Sequence, residues 1–490
     1  MSILEEVKKR VPGAEETGLL KVFHYFEEIA AIPHGSGNTR QISDYLAAFA
    51  RERDLVCHQD SAGNIIIIQE ASAGYESAEP VILQGHMDMV CEKESGCAVD
   101  FTKDGLSLYV DGDFLRAEKT TLGGDDGIAV AYALAILDSP AVVHPRLEVV
   151  LTVDEETGLL GAESIDLSML KGRRLLNIDS DVEGHFLTAC AGGATVKTEI
   201  PVSFGQERGI AAELCLTGLS GGHSGAEIDK EHANAALLMG RLVDAVNRRV
   251  PVRIAELSGG LKDNAIPREC RAKLLIPTGK EEEFTRCVRE QEAVFQNEYA
   301  VPDPGLRIES RTGAEQECAV LTPVSQKNVL FYLRAVPDGV QHMSRVVPGL
   351  VETSLNSGIL ELTGRCLSVT ASVRSSVSSR KEALKERLAV LAEFPGGSVT
   401  VSGDYPAWEY RPQSQVRDTM SAVYRELYGK EPVFEAIHAG LECGILSGKI
   451  DGLDCISFGP DNYDIHTPQE RLSISSTARV WELLVEFLKR

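Results

Sequence analysis

Four short apolar runs in the sequence share one layout, because each is followed at once by side chains that can bind a metal ion. The runs and the segments that follow them are VILQ before GHMD (81–88), LEVVLTV before DEE (147–156), RLLNI before DSD (174–181), and LDCIS before FGP and a loop with His466 (453–466). Continuous apolar runs of this length are typical of strands buried inside an α/β sheet. Functional groups gather beyond the carboxyl ends of such strands, so we expect the four segments to converge.

A fifth acidic group lies in the glycine-rich segment TLGGDDGIA (121–129), which opens an apolar helical pattern. Helix N-termini favour carboxylates, and glycines let the backbone turn sharply there. The candidate metal ligands are therefore two imidazoles and three carboxylates, namely His86, Asp125, Glu156, Asp179 and His466. This set exceeds the needs of one zinc ion with an open position and fits two divalent ions that share a bridging carboxylate. Nitrogen and oxygen ligands suit zinc, manganese or cobalt.

Two neighbours of these ligands have the chemistry of supporting residues. Asp88 stands two positions after His86, so at a strand end it projects on the same side and can accept the other ring N–H of that histidine. Glu155 precedes Glu156, and adjacent side chains at a strand end diverge. One carboxylate of this pair can therefore bind a metal ion while Glu155 faces the activated water as general base.

Each of these segments also has an ordinary structural explanation. A histidine after a strand is usually a packing or surface residue, a DEE triplet is usually a solvated turn, and DSD is commonly a cap or an Asx-turn. Four strand ends that all carry coordinating groups are difficult to obtain by chance. The combination therefore favours a metal centre.

The pattern of predicted helices and strands changes at about residue 190 and again at about residue 395. Helical and strand patterns alternate within 1–189 and 395–490, whereas the middle mixes alternating strands with two long helical patterns, 232–249 and 281–299. The middle also holds few groups suited to metal chemistry. We predict a discontinuous catalytic domain, 1–189 and 395–490, with a second domain inserted at 190–394.

Charge and cysteine usage exclude several classes of protein. The chain has a formal net charge of −24, and an acidic surface repels phosphate backbones, which argues against nucleic-acid binding. The 11 cysteines are scattered without a CxxC pair, so neither a disulfide framework nor a zinc knuckle is expected. The charged start MSILEEVKKR has no apolar signal core, and no apolar run is long enough to cross a membrane. We predict a soluble cytoplasmic protein.

The motifs resemble those of the M20 family of dinuclear zinc metallopeptidases, in which a GHxD segment, a GxDD or GxDN loop, an EE pair, a later Asp and a C-terminal His follow in this order. Within the family they look most like the branch of aminoacyl-histidine dipeptidases and cytosolic non-specific dipeptidases. The segments that carry the resemblance are ILQGHMDMVCEK, TLGGDDGIA, DEETGLLGA, HAGLECGIL and FGPDNYDIHTPQER. One departure is Asp126, where that branch often has Asn.

The resemblance implies an α/β fold with a mixed-sheet catalytic domain and an inserted α+β lid domain that carries a homodimer interface. Two divalent ions, most often zinc, would be bound in each chain. The implied roles are a bridge for Asp125, ligands of one ion for His86 and Asp179, ligands of the other for Glu156 and His466, general base for Glu155 and an orienting contact for Asp88.

Four further residues would bind a small peptide substrate by the same resemblance: His223, Asn264, Arg374 and His438. His223, in LSGGHSG, would reach the active site of a partner chain and polarise the scissile carbonyl. The other three would hold the backbone or the terminal carboxylate of the substrate. Each also has an ordinary alternative, with GGHSG as a turn, Arg374 as a surface charge and His438 as a core histidine.

The implied activity is metal-dependent hydrolysis of the peptide bond of dipeptides, either Xaa-His dipeptides or a broad range. A deacylase of N-acyl amino acids or a tripeptide aminopeptidase would use the same site and differ only in pocket shape. A non-catalytic scaffold that keeps metal ions for folding is a third alternative. Glu155 argues against the scaffold, because a purely structural site needs no spare carboxylate.

Overall fold

Helices and strands alternate along the chain, which is described over residues 2–490 by a computed structural model. The helices are α1 (Ile3–Arg10), α2 (Leu19–Ala30), α3 (Arg40–Glu52), α4 (Gly124–Leu137), α5 (Leu160–Ser164), α6 (Ala235–Asn247), α7 (Glu281–Glu298), α8 (Pro323–Ala335), α9 (Ser378–Glu393), α10 (Gln415–Tyr428), α11 (Glu442–Lys449) and α12 (Ile474–Phe487). The strands are β1 (Val56–Gln59), β2 (Ile65–Gln69), β3 (Val81–His86), β4 (Leu108–Asp111), β5 (Phe114–Ala117), β6 (Leu147–Thr152), β7 (Arg174–Asn177), β8 (His185–Cys190), β9 (Gly192–Pro201), β10 (Phe204–Thr217), β11 (Arg253–Gly259), β12 (Cys270–Ile276), β13 (Arg307–Leu321), β14 (Gly339–Met343), β15 (Val351–Leu362), β16 (Cys366–Ser375), β17 (Ser398–Tyr405), β18 (Val433–Ile437), β19 (Asp454–Ser457), β20 (Asn462–Tyr463) and β21 (Arg471–Ser473).

The chain divides into two compact units, each built from separate stretches of sequence. Unit 1 contains the residues up to Ala189 together with Tyr410–Ala436 and Leu441–Arg490, and unit 2 contains Cys190–Glu409 and Ile437–Gly440. The sequence pattern predicts a return to the first domain at 395, whereas residues 395–409 belong to unit 2. The reason is that β17 pairs with β9 of that unit.

An eight-stranded sheet lies in unit 1, in the order β1-β2-β6-β3-β7-β19-β8-β18. Strands β6, β3, β7 and β19 are parallel neighbours, whereas β1, β2 and β8 pair antiparallel, so the predicted α/β fold with a mixed sheet is confirmed. The four parallel strands are buried along their whole length. Burial on both faces explains why their sequences are continuous apolar runs without alternation.

Helix α4 is enclosed by other elements of unit 1 and contacts α2 and β3. Its residues from Asp126 to Leu137 are all buried, which explains an apolar sequence without a polar face. Tyr132 stacks on Trp481 of α12, with ring centroids 6.1 Å apart, and donates its hydroxyl to the carbonyl of Thr477 over 2.8 Å. Because α4 begins in the loop that contains Asp125, this packing determines where that loop projects.

A smaller sheet of unit 1 has the order β20-β21-β5-β4. β20 and β21 pair antiparallel, and the segment between them contains His466. β21 also pairs with β5 and runs directly into α12, where Ser473 caps the helix through its hydroxyl. The loop of His466 is therefore anchored on paired strands at both ends.

Unit 2 contains a nine-stranded sheet in the order β13-β10-β12-β11-β15-β16-β9-β17, and β14 pairs with β15. All these pairs are antiparallel. Helices α6, α7, α8 and α9 share one apolar core with the sheet. β12 shows the origin of this layering, because its first residues alternate between buried and exposed positions. Unit 2 is an α+β structure.

No helix within residues 2–490 has both the length and the apolar character that a membrane crossing requires.

Candidate metal centre

The carboxyl ends of three neighbouring strands bring predicted ligands to one edge of the large sheet. His86 is the last residue of β3, Glu156 lies just after β6, and Asp179 lies just after β7. β3 is parallel to both β6 and β7, so the ends of the three strands lie side by side. β19 is parallel to β7 and leads by way of β20 to the loop of His466. The predicted convergence of these segments is observed within unit 1.

Asp125 lies between the two imidazoles of this site. Its Oδ1 atom is 3.1 Å from Nε2 of His86, and its Oδ2 atom is 3.1 Å from Nε2 of His466. One carboxylate therefore presents a separate oxygen to each histidine, which is the arrangement that a bridge between two ions requires. The peptide bond between Asp125 and Asp126 is cis.

The five predicted ligands form two overlapping groups. In the first, atoms of His86, Asp125 and Asp179 lie within 4.8 Å of one another, and in the second the same holds for Asp125, Glu156 and His466. Nε2 of His86 is 3.8 Å from Oδ1 of Asp179, and Nε2 of His466 is 2.9 Å from Oε1 of Glu156. The first histidine is buried, with 1% of its side chain exposed, whereas 43% of the His466 side chain is exposed.

The carboxylates around both imidazoles attract positive charge. Burial opposes protonation of His86, but the hydrogen bond to Asp125 holds its pKa well above the usual value. Hydrogen bonds with Asp125 and Glu156 raise the pKa of His466 to about 10. Burial raises the pKa of Asp179 well above its usual range. Two divalent cations would neutralise these carboxylates in place of protons, so the side chains fit a dinuclear metal centre.

Asp88 contacts both His86 and the loop that carries the paired glutamates. The Nδ1 atom of His86 is 3.0 Å from the backbone carbonyl oxygen of Asp88 and 3.4 Å from its carboxylate, so the carbonyl is the nearer acceptor. The carboxylate accepts the backbone N–H groups of Glu155 at 3.0 Å and Glu156 at 3.4 Å, and the hydroxyl of Ser36 at 2.7 Å. Asp88 thereby links the first histidine to the glutamate loop.

Glu155 points to the same site, since a carboxylate oxygen of Glu155, a ring nitrogen of His86 and a carboxylate oxygen of Glu156 all lie within 4.8 Å of one another. Burial raises the pKa of Glu155 to about 8, and although His86 opposes this rise, the charges of Glu442 and Asp125 add to it. A carboxylate beside the candidate ligands can accept a proton from a water held there.

Two buried glutamates of unit 1, Glu442 and Glu470, are not among the site residues predicted from the sequence. Glu442 accepts hydrogen bonds from Gln84 and, over 2.7 Å, from Thr152, and burial raises its pKa to about 7. Both side chains are buried, at 0% and 3% exposure respectively. The sequence does contain a feature that points to them, because each glutamate lies in a motif that carries the family resemblance, Glu442 in HAGLECGIL and Glu470 in FGPDNYDIHTPQER.

Three of the predicted substrate-binding residues meet around one glycine of unit 2. A Cβ atom added to Gly225 would lie 2.6 Å from the carbonyl oxygen of His438, 3.0 Å from Cε1 of His223 and 3.3 Å from Nε of Arg374. Asn264 adjoins this group, since its carbonyl accepts the N–H of Ser224 over 2.9 Å. The segment of His438 belongs to unit 2 because the N–H of Ala191 donates to the carbonyls on either side of it, those of 437 and 439.

This cluster has the character of an anion site. Arg374 is 9% exposed, and the hydrogen bond of its side chain within residues 2–490 goes to the uncharged hydroxyl of Tyr405. Its Nε atom and Nδ1 of His438 are buried without a hydrogen-bond partner in that same range. Burial and the charge of Arg374 lower the pKa of His438 to about 3 and also lower the pKa of His223. The arrangement leaves one buried guanidinium with unused donors, which suits a carboxylate ligand.

Comparison with known proteins gives consistent matches along nearly the whole chain. A model of peptidase family M20/M25/M40 matches residues 82–490. The cytosol non-specific dipeptidase of Escherichia coli (strain K12) is 35% identical over 471 residues, which cover 95% of this chain and 96% of that protein. The crystal structure of aminoacylhistidine dipeptidase from Vibrio alginolyticus matches with a TM-score of 0.89 and 32% identity, and 96% of each chain is covered. The aminopeptidase PepT of Bacillus cereus has a TM-score of 0.55 at 15% identity, over 96% of this chain and 97% of that one, a likeness of fold alone.

Proposed function

Because this chain belongs to peptidase family M20/M25/M40, we propose that it is a dipeptidase that uses two divalent metal ions. Family membership confirms the resemblance predicted from the sequence motifs. The dipeptidases of Escherichia coli and Vibrio alginolyticus described above each match nearly the whole chain at more than 30% identity. The single observation that carries the proposal is Asp125, whose two oxygens each lie 3.1 Å from a different imidazole.

We assign the two ions to the two overlapping groups of side chains. His86, Asp125 and Asp179 would hold the first ion, which we call metal 1. Asp125, Glu156 and His466 would hold the second, metal 2, with Asp125 common to both. This donor set suits zinc, and manganese or cobalt would fit the same nitrogen and oxygen ligands.

The residues around the ions provide the proton transfers of peptide hydrolysis. When bound, the ions would lower the pKa of a water from about 16 toward about 7 and would polarise the scissile carbonyl. Glu155 would accept a proton from the water that attacks the carbonyl carbon, and would then donate that proton to the leaving amine as the C–N bond breaks. Asp88 positions Glu155, because the carboxylate of Asp88 accepts the backbone N–H of Glu155 over 3.0 Å.

The cluster of unit 2 would bind the substrate. Arg374 is a buried cation with an unused Nε donor, and the terminal carboxylate of a peptide is an anion of matching geometry. A dipeptide presents that carboxylate one residue after the scissile bond, so such a contact restricts hydrolysis to very short peptides. Asn264 and His438 would support the same carboxylate or the backbone, and His223 would polarise the scissile carbonyl.

We further propose a cytoplasmic homodimer in which unit 2 is the lid and supplies the interface. The word cytosol in the name of the Escherichia coli relative supports the location. β13 supports the interface, because within residues 2–490 it pairs with β10 alone, at the end of the nine-stranded sheet, and is largely exposed. An exposed edge strand of this length can pair with another chain. In such a dimer, His223 would serve the active site of the partner chain.

A substrate panel combined with a metal count tests the proposed activity. The zinc-loaded chain should release amino acids from Xaa-His dipeptides and from other dipeptides, and act weakly on tripeptides and N-acetyl amino acids. Preferred cleavage of tripeptides or of acetylated amino acids would instead favour the aminopeptidase or the deacylase. A chain that binds two ions but hydrolyses nothing in the panel would be the metal-binding scaffold.

Replacing Glu155 with glutamine tests the role of the general base. Glu155→Gln should keep both metal ions and lower kcat by about 100- to 10,000-fold, since the amide cannot take a proton from water. Metal content measured by plasma mass spectrometry alongside dipeptide turnover separates this effect from loss of the site. Turnover close to that of the unaltered chain would contradict the assignment.

A further inference from the structure

Glu470 places its buried carboxylate against the backbone of the loop that contains Asp125. Its Oε2 atom accepts the N–H groups of Leu122 at 2.7 Å and Gly123 at 3.0 Å. Its Oε1 atom accepts the N–H groups of Gly124 at 2.8 Å and Asp125 at 3.3 Å. Four consecutive backbone donors therefore bond to one side chain, and both carboxylate oxygens are needed as acceptors.

The same carboxylate also holds the base of the loop that carries His466. Its Oε1 atom accepts a fifth hydrogen bond, from Nδ2 of Asn462 over 3.1 Å. Asn462 lies in β20, and Glu470 directly precedes β21, so the two residues stand on either side of the His466 loop. One side chain thus joins two segments of unit 1, each of which presents a ligand assigned to metal 2.

The fit between these segments is close. A Cβ atom added to Gly124 would lie 2.8 Å from Nδ2 of Asn462 and 3.1 Å from Oε1 of Glu470. Any larger residue at position 124 would push the carboxylate away from the backbone donors. The absence of a side chain at Gly124 is therefore required by this contact.

The two histidines depend on different supports. His86 is the final residue of a fully buried strand, and 1% of its side chain is exposed. His466 lies in a loop with 43% of its side chain exposed, and its backbone is in the left-handed region at φ 62°. The segments that carry His466 and Asp125 meet at Glu470, which bonds to both of them.

We propose that Glu470 is a positioning residue that fixes the separation of Asp125 and His466 and thereby sets the affinity of the chain for metal 2. This inference rests on the proposed dinuclear function. Metal 1 depends less on Glu470, because His86 and Asp179 come from the ends of β3 and β7. Loss of the carboxylate should weaken one of the two binding events selectively.

Glu470→Gln is the direct test, because the amide keeps the size of the side chain but offers one acceptor oxygen and an NH2 group that faces backbone donors. Groups that orient metal ligands typically change metal affinity by about 10- to 100-fold when they are replaced. We expect a loss of about that size in the affinity for the second zinc ion, with the first changed by less than about threefold. Gly124→Ala should act in the same direction, because its methyl group would lie 2.8 Å from Nδ2 of Asn462 and 3.1 Å from Oε1 of Glu470 and would force this hydrogen-bonded pair away from the loop.

Glu148→Gln is a matched control from the same unit. Glu148 is also fully buried, and its carboxylate accepts the backbone N–H groups of Lys171 at 3.0 Å and Gly172 at 2.9 Å. It lies near the start of β6, whereas the ligand Glu156 follows the end of that strand. This variant loses comparable bonds within the protein and should bind both zinc ions as the unaltered chain does.

The measurement is a calorimetric titration of the metal-free chain with Zn2+, with bound metal counted by mass spectrometry. A selective loss of the second binding event in Glu470→Gln and Gly124→Ala, but not in Glu148→Gln, would support the role of Glu470. Unchanged affinity for both ions in the Glu470 variant, or an equal loss in Glu148→Gln, would refute it. An unaltered chain that binds fewer than two ions would overturn the dinuclear function itself, and the Glu470 assignment with it.

Discussion

Arg374→Met should remove recognition of the substrate carboxylate while leaving most of the side-chain volume in place. Arg374 is 9% exposed, and Nη1 donates to the hydroxyl of Tyr405 over 3.2 Å. Its Nε atom has no hydrogen-bond partner within residues 2–490. A guanidinium buried in this way is available to a ligand, because its Nε donor is unused within the described residues.

The size of the effect follows from the bonds that are lost. A hydrogen bond to a charged group contributes about 1.5–3 kcal/mol, and every 1.4 kcal/mol corresponds to about a factor of ten. Loss of one such bond to a dipeptide carboxylate therefore predicts a fall of about 10- to 150-fold in kcat/KM. The same dipeptide with a C-terminal amide carries no charge at that end, so its kcat/KM should change by less than about threefold.

The assay compares the free dipeptide with its amide for the unaltered chain, for Arg374→Met and for Arg365→Met. Arg365 is a suitable control because it lies exposed in the turn between β15 and β16, the hairpin that also contains Arg374. An equal fall for both substrates would contradict the assigned role of Arg374, since a loss of that kind reflects altered structure rather than lost recognition of charge. No fall for the free dipeptide would contradict it as well.

Three further predictions concern metal ions, pH and packing. Removal of metal by a chelator should abolish dipeptide hydrolysis and lower the melting temperature, because the clustered carboxylates then repel one another. Added Zn2+ should restore both the activity and the melting temperature. A melting temperature that does not respond to metal would contradict the proposed metal site. Burial raises the pKa of Asp338 in unit 2 to about 7. The folded chain therefore favours the protonated side chain, and this contribution to stability is complete below about pH 4 and is lost as the pH rises to about 7. The free energy of unfolding of Asp338→Asn, measured in denaturant titrations, should therefore rise relative to that of the unaltered chain by on the order of 2 kcal/mol between about pH 5 and pH 8. A difference between the two chains that stays constant across that range would refute the raised pKa. Tyr132→Phe should lower the free energy of unfolding by about 1 kcal/mol, because it leaves the Thr477 carbonyl without its 2.8 Å bond, and hydrolysis should stay unchanged; a loss of activity at full metal content would show that Tyr132 acts on the site.

Local sequence patterns are sufficient to predict a metal centre and to identify the strands that carry its candidate ligands. Parallel strands buried on both faces need continuous apolar residues, so β3, β6, β7 and β19 are recognisable from their residue composition alone. Side chains that follow such strands converge by the geometry of the sheet, which is why the sequence predicts that His86, Glu156 and Asp179 lie close together. The glycines before Asp125 mark its loop in the same local way.

The contacts by which the segments hold one another arise only in the folded chain. Glu470 accepts a hydrogen bond from Leu122, a residue 348 positions away in the sequence. A periodic pattern of apolar residues contains no information about a contact between residues so far apart. The same applies to the choice of the Asp88 carbonyl as nearest acceptor for His86, and to the pairing that places β17 in unit 2. Local patterns record burial and backbone conformation, whereas partners far apart in the chain are selected when the packed core brings their backbones together.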